Sequence, residues 1–382
     1  MSLKVCAVTS GRSEYGYLYW PMRCIQKSAD LQLQLLVTGM HLSSEFGETW
    51  RAIVEDGFEI DGRIESHQSD NDAIAACRSI ALGVEGFAKA IKECEPDILM
   101  VLGDRFEILP AVTAALIAGI PVAHLAGGDT SEGAFDESIR HAITKMAHIH
   151  FVTNAEAERR VCQMGEDPAN VHLVGSSGLD FITQMDFLSR SEFFVQVGLA
   201  ERKQNIVVTL HPTTLDGPGA ADESHELVDA LGGLGSDVGI IITGPNTDPG
   251  GRVIRERLKD FAANHSHVAF HDSLGQTLYL NALKHCDVCV GNTSSGLYEA
   301  PSFEIPTVNI GDRQKGRLRA ASVIDCASDQ EAIGIAIFTA LGRNCTGVES
   351  PYGDGHASER IVEVLEKIED PKALLRKHFH GI

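Results

Sequence analysis

Short β-rich apolar runs alternate with helix-length segments in two successive series along the 382 residues. That alternation predicts an α/β protein of two Rossmann-like, doubly wound domains, with strand-end loops facing a shared cleft. The length exceeds one ordinary core, and apolar residues at 43% are enough to fill two. In the first series Val5–Thr9 reads as a strand, Tyr17–Lys27 has helical spacing, and Leu31–Thr38 is the next strand. Ile98–Leu102 and Val122–Leu125 read as buried strands around the apolar helix Ile108–Ala118, with His148–Val152 and Val171–Val174 completing the set. The second series has strands at Ile206–Leu210, Gly239–Thr243, Val268–Phe270, Val288–Val290 and Thr307–Ile310. The expected organisation is a first domain over 1–178, a connection over 179–204 and a second domain over 205–356. The amphipathic stretch beginning at Ala357 is expected to return, within 357–382, to the first domain.

Composition excludes several classes of function. The net charge of −21 argues against a nucleic-acid partner, because phosphate backbones require a basic face. An acidic chain that binds an anionic substrate must gather its cations locally, which singles out arginines in glycine-rich loops. The start of the sequence lacks a basic leader and a cleavage site, and no apolar stretch reaches the ~20 residues of a membrane helix. A soluble, cytoplasmic chain with no membrane partner is expected. Nine cysteines are scattered, mostly in apolar runs, as small buried hydrophobes. Cys286 and Cys289 form a C-x-x-C inside a strand run with no second pair at zinc-ribbon spacing, so no metal site is expected.

The polar residues that stand out follow strands. Ser10-Gly11-Arg12-Ser13-Glu14-Tyr15-Gly16 offers a tight turn and a helix start with Arg12 beside it, a pattern suited to phosphate. Gly103-Asp104-Arg105-Phe106-Glu107 places two carboxylates around an arginine, costly unless they are paired or used. His124-Leu125-Ala126-Gly127-Gly128-Asp129 ends a strand, and Phe135-Asp136-Glu137-Ser138-Ile139-Arg140-His141 opens a helix that Asp136 could cap, with Arg140 and His141 on its surface. In the second series His211-Pro212-Thr213-Thr214 and Thr243-Gly244-Pro245-Asn246 follow strands, the latter with Arg252 close behind. Gly291-Asn292-Thr293-Ser294-Ser295-Gly296-Leu297-Tyr298-Glu299 exposes backbone N–H groups at a helix start, a ready diphosphate site, with Glu299 in reach of a ribose diol. Gly311-Asp312-Arg313-Gln314-Lys315-Gly316-Arg317 supplies cations after the next strand.

These motifs, together with V-T-G-M-H at 37–41 and D-E-S-I-R-H-A-I-T-K at 136–145, resemble the hydrolysing UDP-N-acetylglucosamine 2-epimerases over nearly the whole chain. The resemblance implies the two-domain GT-B-like architecture. It also implies conversion of UDP-N-acetylglucosamine, or a related 2-acetamido or 2,4-diacetamido sugar nucleotide, to the free 2-epimer and the nucleoside diphosphate. Such a reaction serves sialic- or legionaminic-acid-type pathways, proceeds by elimination to a glycal and hydration, and uses no cofactor. Carried over by position, Asp104 and Asp136 would be catalytic, and Arg12, His211, Thr293, Ser294, Glu299 and Arg313 would bind nucleotide or phosphate. Arg105, Asn246, Ser273, Ser295 and Gly296 complete the candidate binding set. Relatives of this kind imply a homo-oligomer, dimer or tetramer. Ala126 stands where these enzymes commonly carry glutamate or histidine, and Asp129 where glutamate is more usual, so the glutamate's catalytic role does not transfer. A non-hydrolysing 2-epimerase typically carries Q-T-G-Q-H and H-V-E-A-G where V-T-G-M-H and H-L-A-G-G-D stand here. That enzyme, a GT-B glycosyltransferase and a non-catalytic nucleotide-sugar sensor are the alternatives.

Overall fold

A computed structural model describes residues 2–44, 47–66, 73–130, 136–213, 219–246 and 250–381. The chain divides into two compact units, Met1–Thr183 with Tyr352–Ile382, and Gln184–Pro351.

The first unit holds β1 (Leu3–Thr9), α1 (Arg12–Lys27), β2 (Leu31–Thr38), α2 (Trp50–Glu55), β3 (Gly62–Ile64), α3 (Ala73–Cys94) and β4 (Ile98–Leu102). It continues with α4 (Leu109–Ala118), β5 (Val122–Leu125), α5 (Asp136–Met146), β6 (Ile149–Val152), α6 (Ala155–Gln163), β7 (Val171–Leu173) and α7 (Asp180–Gln184). Among the described residues the sheet runs β3-β2-β1-β4-β5-β6-β7, and every pairing is parallel. Both faces are covered, as the alternation along β1 shows. Val5 and Ala7 join the core beneath α1, where Leu18, Met22 and Ile25 lie. Cys6 and Val8 point the other way, to Phe87 and Ile91 of α3 and Val112 of α4.

The second unit holds α8 (Arg190–Gln196), β8 (Gln204–Thr209), α9 (Ala220–Gly232), β9 (Val238–Thr243), α10 (Gly251–Ala263) and β10 (Val268–His271). It continues with α11 (Gly275–His285), β11 (Val288–Gly291), α12 (Ser295–Tyr298), β12 (Thr307–Ile310), β13 (Val323–Cys326) and α13 (Gln330–Leu341). Its described strands run β10-β9-β8-β11-β12-β13, again parallel. Ile206, Val208, Ile240, Val288 and Val290 pack on Leu227, Ile254 and Ile333. In each sheet the strand order reverses beside the first strand of the unit. The reversal between β1 and β4, and that between β8 and β11, opens the crevice where such sheets take ligands.

The last helix, α14 (Ala357–Glu366), belongs to the first unit and seats Ile361 and Leu365 in the α1 core. Asp180 caps it, accepting from the amides of Ala357 at 3.0 Å and Ser358 at 2.7 Å. Three expectations change. Helix α1 begins at Arg12, five residues ahead of the predicted Tyr17, so Glu14 and Tyr15 lie in its first turn. Two short edge strands, β3 and β13, were not expected; β3 has one apolar side chain in three residues, and β13 is only four residues long. The stretch 179–204 is no bare connection, since it forms α7 and α8, the latter opened by a Ser189–Glu192 capping box. Among the described residues no helix is long and apolar enough to cross a membrane.

Candidate functional site

In the first unit three strand ends converge. Gly39, just past β2, sits at φ +59°, and a Cβ there would stand 3.0 Å from the Ser10 carbonyl and 3.5 Å from Cγ of Glu107. This close approach brings the β1 turn against the β4 loop. Arg12 opens α1 and is exposed, while Glu14, two residues on in the same turn, is buried. Glu14 accepts from the Ser10 amide at 2.7 Å and from the Ser10 hydroxyl through one oxygen. Its other oxygen is buried without a partner. Burial pushes the Glu14 carboxyl up to about 7 against the pull of the Ser10 hydrogen bonds and Arg105, with Glu107 adding to the rise.

Asp104, Arg105 and Glu107 occupy the β4 loop. Arg105 pairs with Glu107 at 2.7 Å, and the other Glu107 oxygen is buried and unpartnered. Asp104 accepts from Arg140 of α5, whose second arm donates to the Ala126 carbonyl at 2.9 Å. Asp104 does not cap a helix, because α4 starts only at Leu109. Asp136 opens α5, and its carboxyl is raised first by burial and then by the Asp104 charge, with Arg105 and Arg140 opposing. Four acids (Glu14, Asp104, Glu107 and Asp136) and two guanidinium groups therefore act on one another at the reversal between β1 and β4.

The histidines nearby hold this arrangement. His124 is fully buried, held neutral by burial at about 3, and bridges the Gly103 carbonyl at 2.8 Å and the Thr144 hydroxyl at 3.2 Å. His41, from V-T-G-M-H, lies between the hydroxyls of Thr9 at 3.1 Å and Thr49 at 2.7 Å. Burial lowers it to about 4. Ala126 takes a positive φ of 58°, and Asp129 is tied back to Thr153 at 2.7 Å and Asn154 at 3.1 Å. Phe135, named in the α5 motif, lies outside the described residues.

Glu14 carries a measurable consequence. Its folded value exceeds the usual carboxylate range, so between about pH 4.5 and 7 the folded state holds a proton that the unfolded chain has lost. This contribution to stability is full at low pH and declines as pH rises through that window, by about 1.4 kcal/mol per unit. Buried neutral histidines work in the opposite sense, so the difference between wild type and Glu14→Gln isolates the effect. From pH 5 to pH 8 the urea midpoint of the variant should rise relative to that of wild type, because only wild type loses the Glu14 contribution; parallel profiles would assign Glu14 an ordinary carboxyl.

In the second unit Asn292 is the hub. Its side chain accepts from the His211 amide at 2.7 Å and donates to the His211 carbonyl at 2.8 Å, clipping the ends of β8 and β11 together. Its carbonyl accepts from Arg313 at 3.2 Å and Gln314 at 2.8 Å. His211 Nδ1 accepts from the Asn246 amide at 3.0 Å. His211, Asn246 and Arg313 are thus joined through a residue absent from the candidate set. Thr293, Ser294 and Ser295 are half-buried beside it. Gly296 lets the loop approach β12, where a Cβ would stand 2.6 Å from Thr307 Cγ2.

The helix opened by this loop, α12, is a single turn. Its macrodipole is correspondingly small, and any anion here rests on individual N–H groups and on Arg313. Glu299 caps the end of that turn. Its Oε2 is buried without a hydrogen-bond partner, and burial raises the carboxyl. Ser273 is exposed and accepts from the Gly275 amide at 3.1 Å. Arg252, expected near the Asn246 turn, is exposed on α10 and pairs with Glu256 at 2.8 Å. Thr213 donates to Glu223, and Thr214 lies outside the described residues. Among the described residues no group of three or more His, Cys, Asp or Glu could hold a metal. Cys286 and Cys289 are buried, and burial pushes the Cys289 thiol up to about 12.

Comparison with known proteins agrees in both sequence and fold. A family model described as UDP-N-acetylglucosamine 2-epimerase matches residues 23–366. A Campylobacter jejuni protein named GDP/UDP-N,N'-diacetylbacillosamine 2-epimerase (hydrolyzing) is 38% identical over 323 residues, covering 84% of each chain. A Legionella pneumophila protein named UDP-N,N'-diacetylbacillosamine 2-epimerase (hydrolyzing) is 34% identical over 377 residues, covering 99% of each. The crystal structure of UDP-GlcNAc 2-epimerase from Neisseria meningitidis bound to UDP-GlcNAc superposes with a TM-score of 0.78 at 16% identity, covering 96% of this chain and 100% of that one. By the extent of the family match and of these identities, the chain is an enzyme of the UDP-N-acetylglucosamine 2-epimerase family.

Proposed function

We propose that the chain is a hydrolysing 2-epimerase that converts UDP-N-acetylglucosamine, or a related 2,4-diacetamido sugar nucleotide, to the free 2-epimer and UDP. The observation that carries this reading is the cluster of Glu14, Asp104, Glu107 and Asp136 with Arg105 and Arg140 at the β1–β4 reversal. Elimination needs a base for the proton on sugar carbon 2 and charge neutralisation for the departing diphosphate. Hydration of the resulting glycal then puts hydroxide on carbon 1 and a proton on the opposite face of carbon 2. Asp104 and Asp136 take the proton transfers in this proposal, because two carboxyls in unequal environments suit acid and base work. Arg12 and Arg105 meet negative charge, and in the second unit His211, Asn246, Ser273, Thr293, Ser294, Ser295, Gly296, Glu299 and Arg313 bind the nucleotide. No hydride moves, so no redox cofactor is part of the scheme. The names of the Campylobacter and Legionella relatives favour the diacetamido substrate.

Incubation with UDP-N-acetylglucosamine and, separately, with UDP-N,N'-diacetylbacillosamine, without acceptor, tests the reading by NMR. Free 2-epimer and UDP are expected from one or both. An epimerised but intact nucleotide-sugar would indicate the non-hydrolysing reaction, and no turnover of either would remove the proposal. Arg313→Ala should weaken UDP binding by about 1.5–3 kcal/mol, the scale of a lost charge-assisted bond. Calorimetry on a variant of unchanged melting temperature checks it, and equal affinity would take Arg313 out of the site. The reading also places the enzyme in the cytoplasm as a homo-oligomer. What supports the oligomer is helix α4, which is free of charged residues and leaves Leu116 and Ile117 exposed.

A further inference from the structure

We propose that Lys377, from the segment following α14, is a positioning residue for α5, the helix that carries Asp136 and Arg140. Its ammonium group has three N–H donors, and three acceptors meet it. They are the carbonyls of Lys145 at 2.7 Å and Ala147 at 2.6 Å, and Glu166 Oε2 at 2.6 Å. Both carbonyls lie at the C-terminal end of α5, where helical carbonyls lack partners and a cation is favoured. Lys377 is thus a C-terminal cap supplied from 232 residues along the chain.

The segment is fixed at further points. Glu166, only 2% exposed, also binds Lys145 at 2.7 Å and His150 of β6 at 3.0 Å. Three donors hold its carboxylate down at about 2 against the cost of burial. Lys145 reaches on to the Met164 carbonyl at 3.1 Å and lies 4.8 Å from the Phe379 ring centre. His380 donates to the Gly165 carbonyl at 2.9 Å, and Gly165 at φ +84° has room for no Cβ, which would meet the Phe379 ring at 2.5 Å. A glycine is needed there so that the segment can lie flat on the end of α6.

At the other end of the same helix Arg140 grips Asp104 and Asp136 feels its charge. Eleven residues make a rod of about 16 Å, so a shift at the capped end is carried to the carboxylates. A displacement of about 1 Å at reacting groups costs up to about 10²-fold in rate. Removing Lys377 leaves Glu166 paired with Lys145, so the fold need not fail while the helix end loses its cap.

The activity readout rests on the epimerase reading above; a second readout does not. Lys377→Met and Lys377→Arg are compared with wild type by steady-state kinetics, UDP calorimetry and amide hydrogen exchange over 136–147. Lys377→Met should lose about 5- to 50-fold in kcat with KM and UDP affinity unchanged, and should exchange faster along α5. Lys377→Arg should recover most of both. Should Lys377→Met not fold, Phe379→Ala, which loosens the same segment without deleting a charge, carries the same expectations. Unchanged exchange in α5, normal kcat despite faster exchange, or a parallel fall of kcat, UDP affinity and melting temperature would overturn the proposal. If wild type turns over no nucleotide-sugar, the epimerase reading fails, and exchange at 136–141 alone decides whether Lys377 positions this helix.

Discussion

Asp104→Asn and Asp136→Asn are each expected to slow turnover by about 10²–10⁴-fold, the usual scale for acid–base groups. Each removes a charge and keeps the shape, so the fold should persist. The amide introduced by Asp104→Asn would still offer an oxygen to Arg140, and Asp136→Asn would leave a polar side chain at the start of α5. UDP affinity should change little, because both residues belong to the first unit and the Asn292 hub to the second. A purely local role makes a different forecast. Asp104 caps no helix, and Asp136 in the first turn of α5 gains only about 0.3–1 kcal/mol from the helix dipole. Melting temperature, UDP affinity and turnover measured on both variants therefore separate catalysis from stability. Turnover in heavy water adds a check on the route, since the released sugar should carry deuterium at carbon 2. Full activity in either variant would withdraw that residue, and product free of deuterium would exclude elimination.

The second large effect is structural. Gly291→Ala is expected to cost on the order of 4 kcal/mol, at the exceptional end for one substitution. Gly291 sits at φ +134°, and a Cβ there would stand 1.8 Å from the Thr209 carbonyl oxygen. That oxygen cannot retreat, because Thr209 and Gly291 are register partners in the central β8–β11 pair. The neighbouring Asn292 would move too, taking its hold on His211 and Arg313 with it. Gly103→Ala is the matched control. Gly103 also has a positive φ, of 79°, but nothing lies within 4 Å of its added Cβ. Its cost should be about 1 kcal/mol, from backbone preference alone. Urea unfolding of the two variants compares them directly; equal midpoints would mean that the close approach at Gly291 carries no weight.

Much of this architecture was legible in the sequence because buried parallel strands read as short apolar runs. Leu31–Thr38, Ile98–Leu102, Val122–Leu125 and Thr307–Ile310 have the expected bounds. Strand order was not legible, since it depends on which crossovers fold to which side. The grouping of Asp104 with Asp136 is what the family resemblance implies, and Arg105 stands out by its place at a strand end, but their partners are not legible. Arg140 looked like a surface residue because its distance along the chain from Asp104 hides their pairing. Glu14 is not legible because helical spacing shows only from Tyr17; a first-turn acid beside Ser10 and Gly11 is a signal only once the helix begins at Arg12. Asn292 stands within the Gly291–Glu299 motif, yet its importance comes from two other segments, at His211 and at Arg313–Gln314, that converge on it.

The return of α14 to the first unit bears on how the protein is made. During synthesis the leading segment emerges without the helix that supplies Ile361 and Leu365 to its core. The second unit is continuous from Gln184 to Pro351, so all its strands are available before that helix appears. Residues 184–351 thus leave the ribosome as one uninterrupted unit, while the segment before them waits, with part of its apolar α1 face unshielded, for residues 357–366 to be added.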